Sequence, residues 1–294
     1  MPDLPVLGVD AGGSATRAVL VRNGQVVARF DEPPLNLLLH ADAFDRLAVL
    51  IKSSGAVAAG LGLAGLRGLD EGLRLQERLN DATGIDVVIA DDTEIALLGA
   101  FGSAPGIVVI AGTGSNALGR DADGRAARVG GYGFLVGDEG SAYWIASQAL
   151  RAALHSHDGT GPKSVALEET VTRTYGLDFD AIVRHIHTDL TDRQSVAGLA
   201  RVVMALDDPV MLEIVDSGTD FLVTMARALR RELGDDLAVA MHGGMFQDLR
   251  IRSRFVAATG AIEPAQAPEF GAVSLALNKL ERRDMGWRVE EEHR

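Results

Sequence analysis

The chain has 294 residues, with 47% hydrophobic side chains, 34 glycines, no cysteine and a formal net charge of −13. That length suits two domains with substantial cores, and the composition excludes a disordered chain. The lack of cysteine excludes disulfides, iron–sulfur clusters, thiolate zinc sites and cysteine nucleophiles, and the negative balance disfavours nucleic acid and anionic membrane surfaces. With no basic leader and no long apolar span, the sequence reads as an intracellular, cytoplasmic protein.

In chain order, LPVLGVD (4–10) reads as a strand, AGGS (11–14) as a tight turn, and ATRAVLVR (15–22) as a second strand. Asn23-Gly24 is a hairpin signal leading to a third strand, 25–30. Residues 42–53 have helical spacing, and 56–65 read as a buried strand. A helix over 70–83, a strand over 85–90 and a helix over 92–101 come next. The strand–glycine turn–strand pattern then restarts at 106–120, with a third strand over 124–131. The rest is mostly helical: 141–155, 164–175, 180–188, 193–206 and 209–233. A strand over 236–244 and helices over 246–258 and 269–280 close the chain. The expectation is an α/β protein with a boundary near 103–106 and mixed sheets covered by helices.

Asp10 ends the first strand beside Gly12 and Gly13, where backbone N–H groups can converge on an oxyanion. A carboxylate there could hold Mg2+, directly or through water. GTGSN (112–116) follows an apolar strand in the same way. It lacks the Gly-Lys-Ser/Thr ending of a P-loop and the strand–turn–helix setting of a dinucleotide fingerprint. HGG (242–244) is a third strand-end glycine turn, against which a flat adenine or ribose could lie.

Asp91 and Asp92 stand between a strand and a helix. Asp91 with Glu94 reads as an N-terminal cap. Asp92 then falls in the first turn, where it could accept a proton from a substrate hydroxyl. In GGYGFLVGDEGSAYWIA (130–146), Asp138 and Glu139 precede a helix capped by Ser141. They read either as acids that bind vicinal sugar hydroxyls or as solvated turn residues, and Tyr143 and Trp144 read as helix packing. Asn36, after Pro33-Pro34, could bind a sugar hydroxyl or cap its turn. His155 and His157 read as a solvated helix end, and His185 with Asp189 shows no third metal ligand.

GVDAGGSATR, ADDTEIALLGAF, IAGTGSNALG, GGYGFLVGDEGSAYWIA and MHGG occur in the order found in the N-acetylglucosamine and glucosamine kinase group. The chain thus resembles that group of the BadF/BadG-type ATPase family, within the sugar kinase–actin–heat-shock chaperone superfamily. The resemblance spans nearly the whole chain. It implies a two-lobed ribonuclease-H-like, actin-like fold with a mixed five-stranded sheet in each lobe, a helix-rich second lobe and an active site in the cleft. Residues 1–104 would form the N-terminal lobe and 105–294 the C-terminal lobe, with a return of the final helix to the first lobe left open.

The same resemblance implies ATP and Mg2+ as cofactors and phosphorylation of an amino sugar at its 6-hydroxyl. N-acetylglucosamine is the first choice, with glucosamine or another hexose as alternatives. Asp92 matches the catalytic base and Asp10 the metal-associated aspartate. Asn36, Gly65, Thr113 and Asp138 match sugar-binding positions. Gly12, Gly13, Ser14, Thr16, Gly112, Thr113, Gly114, Ser115, Gly243 and Gly244 match nucleotide-binding positions. A homodimer is common among such kinases. Ala11 and Ser14 stand where Gly and Thr are usual, and Asp91 where Asn is frequent. One rival reading is an ATPase that energises a reductase through an iron–sulfur cluster, which this cysteine-free chain could not hold. Another is a non-kinase actin-like ATPase or regulatory module.

Overall fold

A computed structural model describes residues 4–35, 42–66, 69–188 and 193–284. Its elements run β1 (Val6–Ala11), β2 (Thr16–Arg22), β3 (Gln25–Glu32), α1 (Ala43–Ser54), β4 (Ala58–Leu63), α2 (Leu69–Thr83), β5 (Asp86–Asp91) and α3 (Asp92–Phe101). Next come β6 (Gly106–Ala111), β7 (Ser115–Arg120), β8 (Ala126–Gly130), α4 (Ala142–Asp158), α5 (Val165–Tyr175), α6 (Phe179–Thr188), α7 (Arg193–Val203) and α8 (Pro209–Leu233). The chain closes with β9 (Val239–His242), a 3-10 turn at Gly244–Gln247, α9 (Leu249–Thr259) and α10 (Pro268–Asp284). Two compact units result, one of residues 1–104 with 264–294 and one of residues 105–263.

The first unit is built on a five-stranded sheet of order β3-β2-β1-β4-β5. β2 pairs antiparallel to β1 and to β3, while β4 pairs parallel to β1 and β5. Alternation sends Leu7, Val9, Ala11, Ala18 and Leu20 into a core with Leu47, Ile51 and Leu79 of α1 and α2. Val6, Val19 and Val21 pack instead against Val273 and Ala276 of α10. α10 lies unusually close to the sheet because small residues line its path. A methyl group placed on Gly60 would lie 1.8 Å from the Ala272 carbonyl oxygen, and one on Gly8 would lie 2.0 Å from that of Glu269.

The outer margin of β5 is closed by side chains. Asn80 Oδ1 accepts from the Val87 N–H at 2.8 Å and Gln76 Oε1 from the Ile89 N–H at 3.2 Å. Lys279 Nζ donates to the Val87 carbonyl at 3.3 Å.

The second unit carries a four-stranded sheet of order β8-β7-β6-β9. The expected fifth strand is reduced to a single parallel bridge between Ala240 and Ile262. Gly260, in the left-handed conformation, ends α9 just before this bridge, and Pro264, which has no N–H, comes after it. The chain therefore has no room to extend the ladder. The helices of this unit bury Ile145, Leu167, Val215, Leu222 and Phe255 with Ile107 and Val109 of β6 in one core. Among the described residues, no helix is long and apolar enough to cross a membrane.

Candidate active site

In the first unit the predicted residues collect at the carboxyl edge of the sheet. β1 and β4 run in register, with Asp10 opposite Gly62, and β4 is in register with β5, with Leu63 opposite Asp91. The Gly12 N–H donates to the Ala15 carbonyl at 3.0 Å and closes the turn after Asp10. The Ala64 N–H donates to the Ala11 carbonyl at 3.0 Å, tying the end of β4 to that of β1. Gly65 comes next, at φ 85°. Gly12, Gly13, Ser14 and Gly65 therefore share one edge with Asp10 and Asp92.

Asp91 is the cap. Its Oδ1 accepts from the Thr93 N–H at 2.9 Å and the Glu94 N–H at 3.0 Å. Asp92 becomes the first residue of α3, and Thr93 Oγ1 donates to its Oδ1 at 3.3 Å.

Asp10 is partly buried, and no side-chain hydrogen bond among the described residues reaches its carboxyl. Its pKa is pushed up to about 7, first by loss of hydration, then by the negative charges of Asp92 and Glu269, with Arg17 pulling the other way. Glu269 is the residue that sequence reasoning missed. It lies in the first turn of α10 and is only 5% exposed. In sequence it is an ordinary helix-opening acid, and nothing local signals its burial.

Thr16 stands apart from this group. Strand register puts Thr16 opposite Ala11 and Arg17 opposite Asp10, so the Thr16 side chain lies on the other face of the sheet. Its hydroxyl is buried without a hydrogen-bond partner among the described residues. Asn36 lies outside the described residues. The turn before it is held by Arg46, which donates to the carbonyls of Pro33 and Pro34 at 2.9 and 3.2 Å.

The raised Asp10 pKa carries a sign. An aspartate that holds its proton more tightly in the folded state than at its unfolded value of 3.8 favours folding when protonated, and that advantage is lost as pH rises through about 7. Without divalent cations, stability should fall by about 1–2 kcal/mol between pH 6 and pH 8 from this group. Asp10→Asn should flatten that slope, as chemical denaturation at the two pH values would reveal.

In the second unit three loops meet at the ends of β6 and β9. The 112–115 turn is closed by the Gly112 N–H donating to the Gly114 carbonyl at 2.9 Å. It is bolted to the start of α4, because the Ala142 and Tyr143 N–H groups donate to the Gly112 and Thr113 carbonyls at 2.9 and 3.3 Å. Ser115 Oγ donates to the Glu139 carbonyl at 2.7 Å. Ser141 caps α4 by accepting from the Trp144 N–H at 3.1 Å.

Asp138 is not a solvated turn acid. It is 4% exposed and sits at φ 61°, a conformation that a non-glycine residue holds only where its surroundings enforce it. Its carboxylate lies against Gly114, where an added methyl would come within 2.7 Å of Oδ2. Gly243, at φ 109°, lets the third loop press on the first, since a methyl there would be 2.4 Å from the Ala111 carbonyl oxygen. Gly244 opens the 3-10 turn. Tyr143 and Trp144 pack edge-on against Phe134 and Phe221 at 4.8 and 6.0 Å, as their helical positions suggest.

Residues 7–276 match the BadF/BadG/BcrA/BcrD ATPase family. The chain belongs to that family. Among its relatives, this BadF/BadG-type chain is 28% identical over 213 residues to the N-acetylmuramic acid/N-acetylglucosamine kinase of Clostridium acetobutylicum, covering 67% of this chain and 69% of that one. It is 32% identical over 180 residues to the N-acetyl-D-glucosamine kinase of Dictyostelium discoideum, covering 54% of this chain and 56% of that one. A solved structure provisionally assigned as an N-acetylglucosamine kinase, from Chromobacterium violaceum, superposes with a TM-score of 0.82 at 27% identity, over 93% of this chain and 99% of that one. A ROK family glucokinase from Streptomyces griseus shares the fold, with a TM-score of 0.61 at 17% identity over 93% of this chain and 99% of that one.

Among the described residues, no three His, Cys, Asp or Glu side chains stand close enough together to hold a metal by themselves. The Asp10 carboxyl nevertheless suits a divalent cation whose remaining ligands are phosphate oxygens and water. It is partly buried, receives no hydrogen bond from the described side chains and feels the negative charges of Asp92 and Glu269. A polyphosphate approaching these acids would be repelled without a cation between them.

Proposed function

We propose that this chain is an ATP-dependent kinase that phosphorylates an amino sugar at its 6-hydroxyl, with N-acetylglucosamine as the first substrate to test. The observation that carries this reading is Asp138, a buried carboxylate held at positive φ beside the glycine turn that would receive phosphate. An ATPase without a sugar acceptor has no need of such a group, whereas vicinal hydroxyls require an acceptor of this kind. The names of the two kinase relatives support the same substrate class.

In this reading Asp92 orients the 6-hydroxyl and takes its proton as the oxygen attacks the γ-phosphorus, while the bond to the ADP oxygen breaks in line. The Gly12–Ser14 and Gly112–Ser115 turns would each offer phosphate oxygens the backbone N–H groups not already spent in closing them, as those of Gly12 and Gly112 are. Gly243 and Gly244 present backbone to the adenosine. Asn36, Asp138, Gly65 and Thr113 hold the sugar hydroxyls. Asp10 would hold Mg2+ directly or through water, and that ion would neutralise charge building on the phosphates. A cytoplasmic homodimer completes the proposal, and analytical ultracentrifugation tests the dimer.

The relative from Clostridium acetobutylicum favours a second substrate, N-acetylmuramic acid, within the same mechanism. ADP release with MgATP, measured against N-acetylglucosamine, glucosamine, N-acetylmuramic acid, glucose and no sugar, decides between these. Turnover driven by one amino sugar supports the reading and names the substrate. Equal ADP release without sugar overturns it in favour of an ATPase or regulatory module.

A further inference from the structure

α8 buries Met211, Val215, Leu222, Met225 and Leu229 at helical spacing. Gly218 stands in the middle of that row, where the spacing calls for a large apolar side chain. A glycine inside a helix is costly, and Ser217 and Thr219 on either side of it are weak helix formers as well. The gap is filled by the turn that carries Asp138. A methyl group on Gly218 would stand 3.1 Å from the Cα of Gly140, and one on Gly140 would lie 2.5 Å from the Gly218 carbonyl oxygen. Backbone therefore rests on backbone, two residues from Asp138. The next turns of the helix continue the support. Leu222 Cγ lies 2.7 Å from a methyl built on Gly140, and Met225 Cε lies 3.0 Å from one built on Gly130. On its other side the turn is tied down by the Ser141 N–H, which donates to the Asp138 carbonyl at 3.1 Å, and by Ser115 Oγ on the Glu139 carbonyl.

We propose that Gly218 is a positioning residue for Asp138: having no side chain, it sets how deeply the 138–140 turn sits on α8, and so where the buried carboxylate stands beside Gly114. The inference rests on the kinase reading for its purpose, since the sugar is what this carboxylate would hold, but the seat itself can be tested without it. The competing account is that Gly218 only lets α4 approach α8, because the same methyl would meet Ile145 Cδ1 at 3.0 Å and Trp144 Cζ3 at 3.1 Å. The two accounts differ in what has to move. Ile145 and Trp144 present the ends of side chains, which can turn aside. Gly140 presents backbone, so crowding there passes along the turn to Asp138. As a packing glycine, Gly218 affects the unit as a whole and leaves sugar affinity alone. As a seat, it affects one turn and the sugar.

The experiment is Gly218→Ala in the 294-residue protein, read by amide hydrogen exchange without ligands, by thermal melts and by steady-state kinetics. The kinetics use MgATP with N-acetylglucosamine, or with whichever sugar of the panel above the parent turns over. The Ser141 and Ala142 N–H groups, which donate to the Asp138 and Gly112 carbonyls, should exchange about tenfold faster, while the amides of β6 keep their rates. The KM for sugar should rise about tenfold, with kcat and the KM for MgATP within about twofold of the parent. The melting temperature should shift by less than about 3 °C, because the better helix former offsets the crowding. Unchanged exchange at Ser141 and Ala142 overturns the proposal, as does faster exchange spread evenly over the unit or an unchanged sugar KM in an active protein. If Gly218→Ala does not fold, Leu222→Met decides by the same readouts, since it reshapes the same seat at nearly constant volume and should raise the sugar KM about threefold. Sugar-dependent ADP release by the parent separates the two levels. The local exchange pattern in a protein without kinase activity removes the kinase reading and leaves the seat standing. Kinase activity without that pattern does the reverse.

Discussion

Asp92→Asn should lower kcat for sugar phosphorylation by about a thousandfold while changing the KM for sugar and MgATP by little more than a few-fold. The expected loss is that of a general base, about 10²–10⁴ in rate, and it falls on kcat because the proton moves only as the bond forms. Structure should survive the change. Asp92 opens α3, but the cap is Asp91, whose Oδ1 accepts both the Thr93 and Glu94 N–H groups. An unchanged melting temperature with lost turnover would therefore mark chemistry, and normal turnover would remove Asp92 from the mechanism. Asp91→Ala forms the complementary case. It should cost about 1 kcal/mol of stability through the lost cap and retain the proton acceptor.

Gly60→Ala should be the most destabilising single-methyl change in the first unit, by about 3 kcal/mol or more. The new Cβ would stand 1.8 Å from the Ala272 carbonyl oxygen, so backbone and not a pliable side chain would have to move. Gly60 lies on β4 between β1 and β5, and α10 would be lifted from the middle of the sheet. Urea denaturation checks the figure. Gly198→Ala supplies the contrast: it is helical, has ordinary φ and meets nothing within 4 Å. That substitution should stabilise by about 0.5–1 kcal/mol. Equal effects at the two glycines would refute the close-packed reading of α10.

Much of the architecture was readable from local pattern. The helices over 92–101 and 209–233 match α3 and α8, because each has a cap at its start and a glycine just beyond its end. Elsewhere local and tertiary forces diverged. The helix read as 141–155 runs on to Asp158, where Gly159 in the left-handed conformation ends it. The helix read from 246 begins at Leu249, since Gly244–Gln247 wind as a 3-10 turn and Asp248 caps α9.

The site was legible in the same graded way. Asp10, Asp92 and the glycine turns announce themselves by standing at strand ends. The burial of Asp138 does not, because it depends on Ser115 holding the Glu139 carbonyl and on the space left by Gly114. Glu269 was invisible. Its burial comes with the packing of α10 on Gly8, some 260 positions earlier in the sequence, and no periodicity carries such information.

The two margins of the five-stranded sheet are defended by different means. At β5 the outward N–H and C=O groups are already engaged by Asn80, Gln76 and Lys279, so a strand from another molecule would first have to displace three side chains. At β3 no comparable side-chain bonds guard the backbone among the described residues; Val26 and Val27 are exposed, and Arg29, Asp31 and Glu32 supply charge instead. An ionic barrier weakens in salt, whereas satisfied hydrogen bonds do not. Any salting-driven self-association of this sheet should thus begin at β3, and further charge placed on that strand would be the direct way to keep the protein in solution.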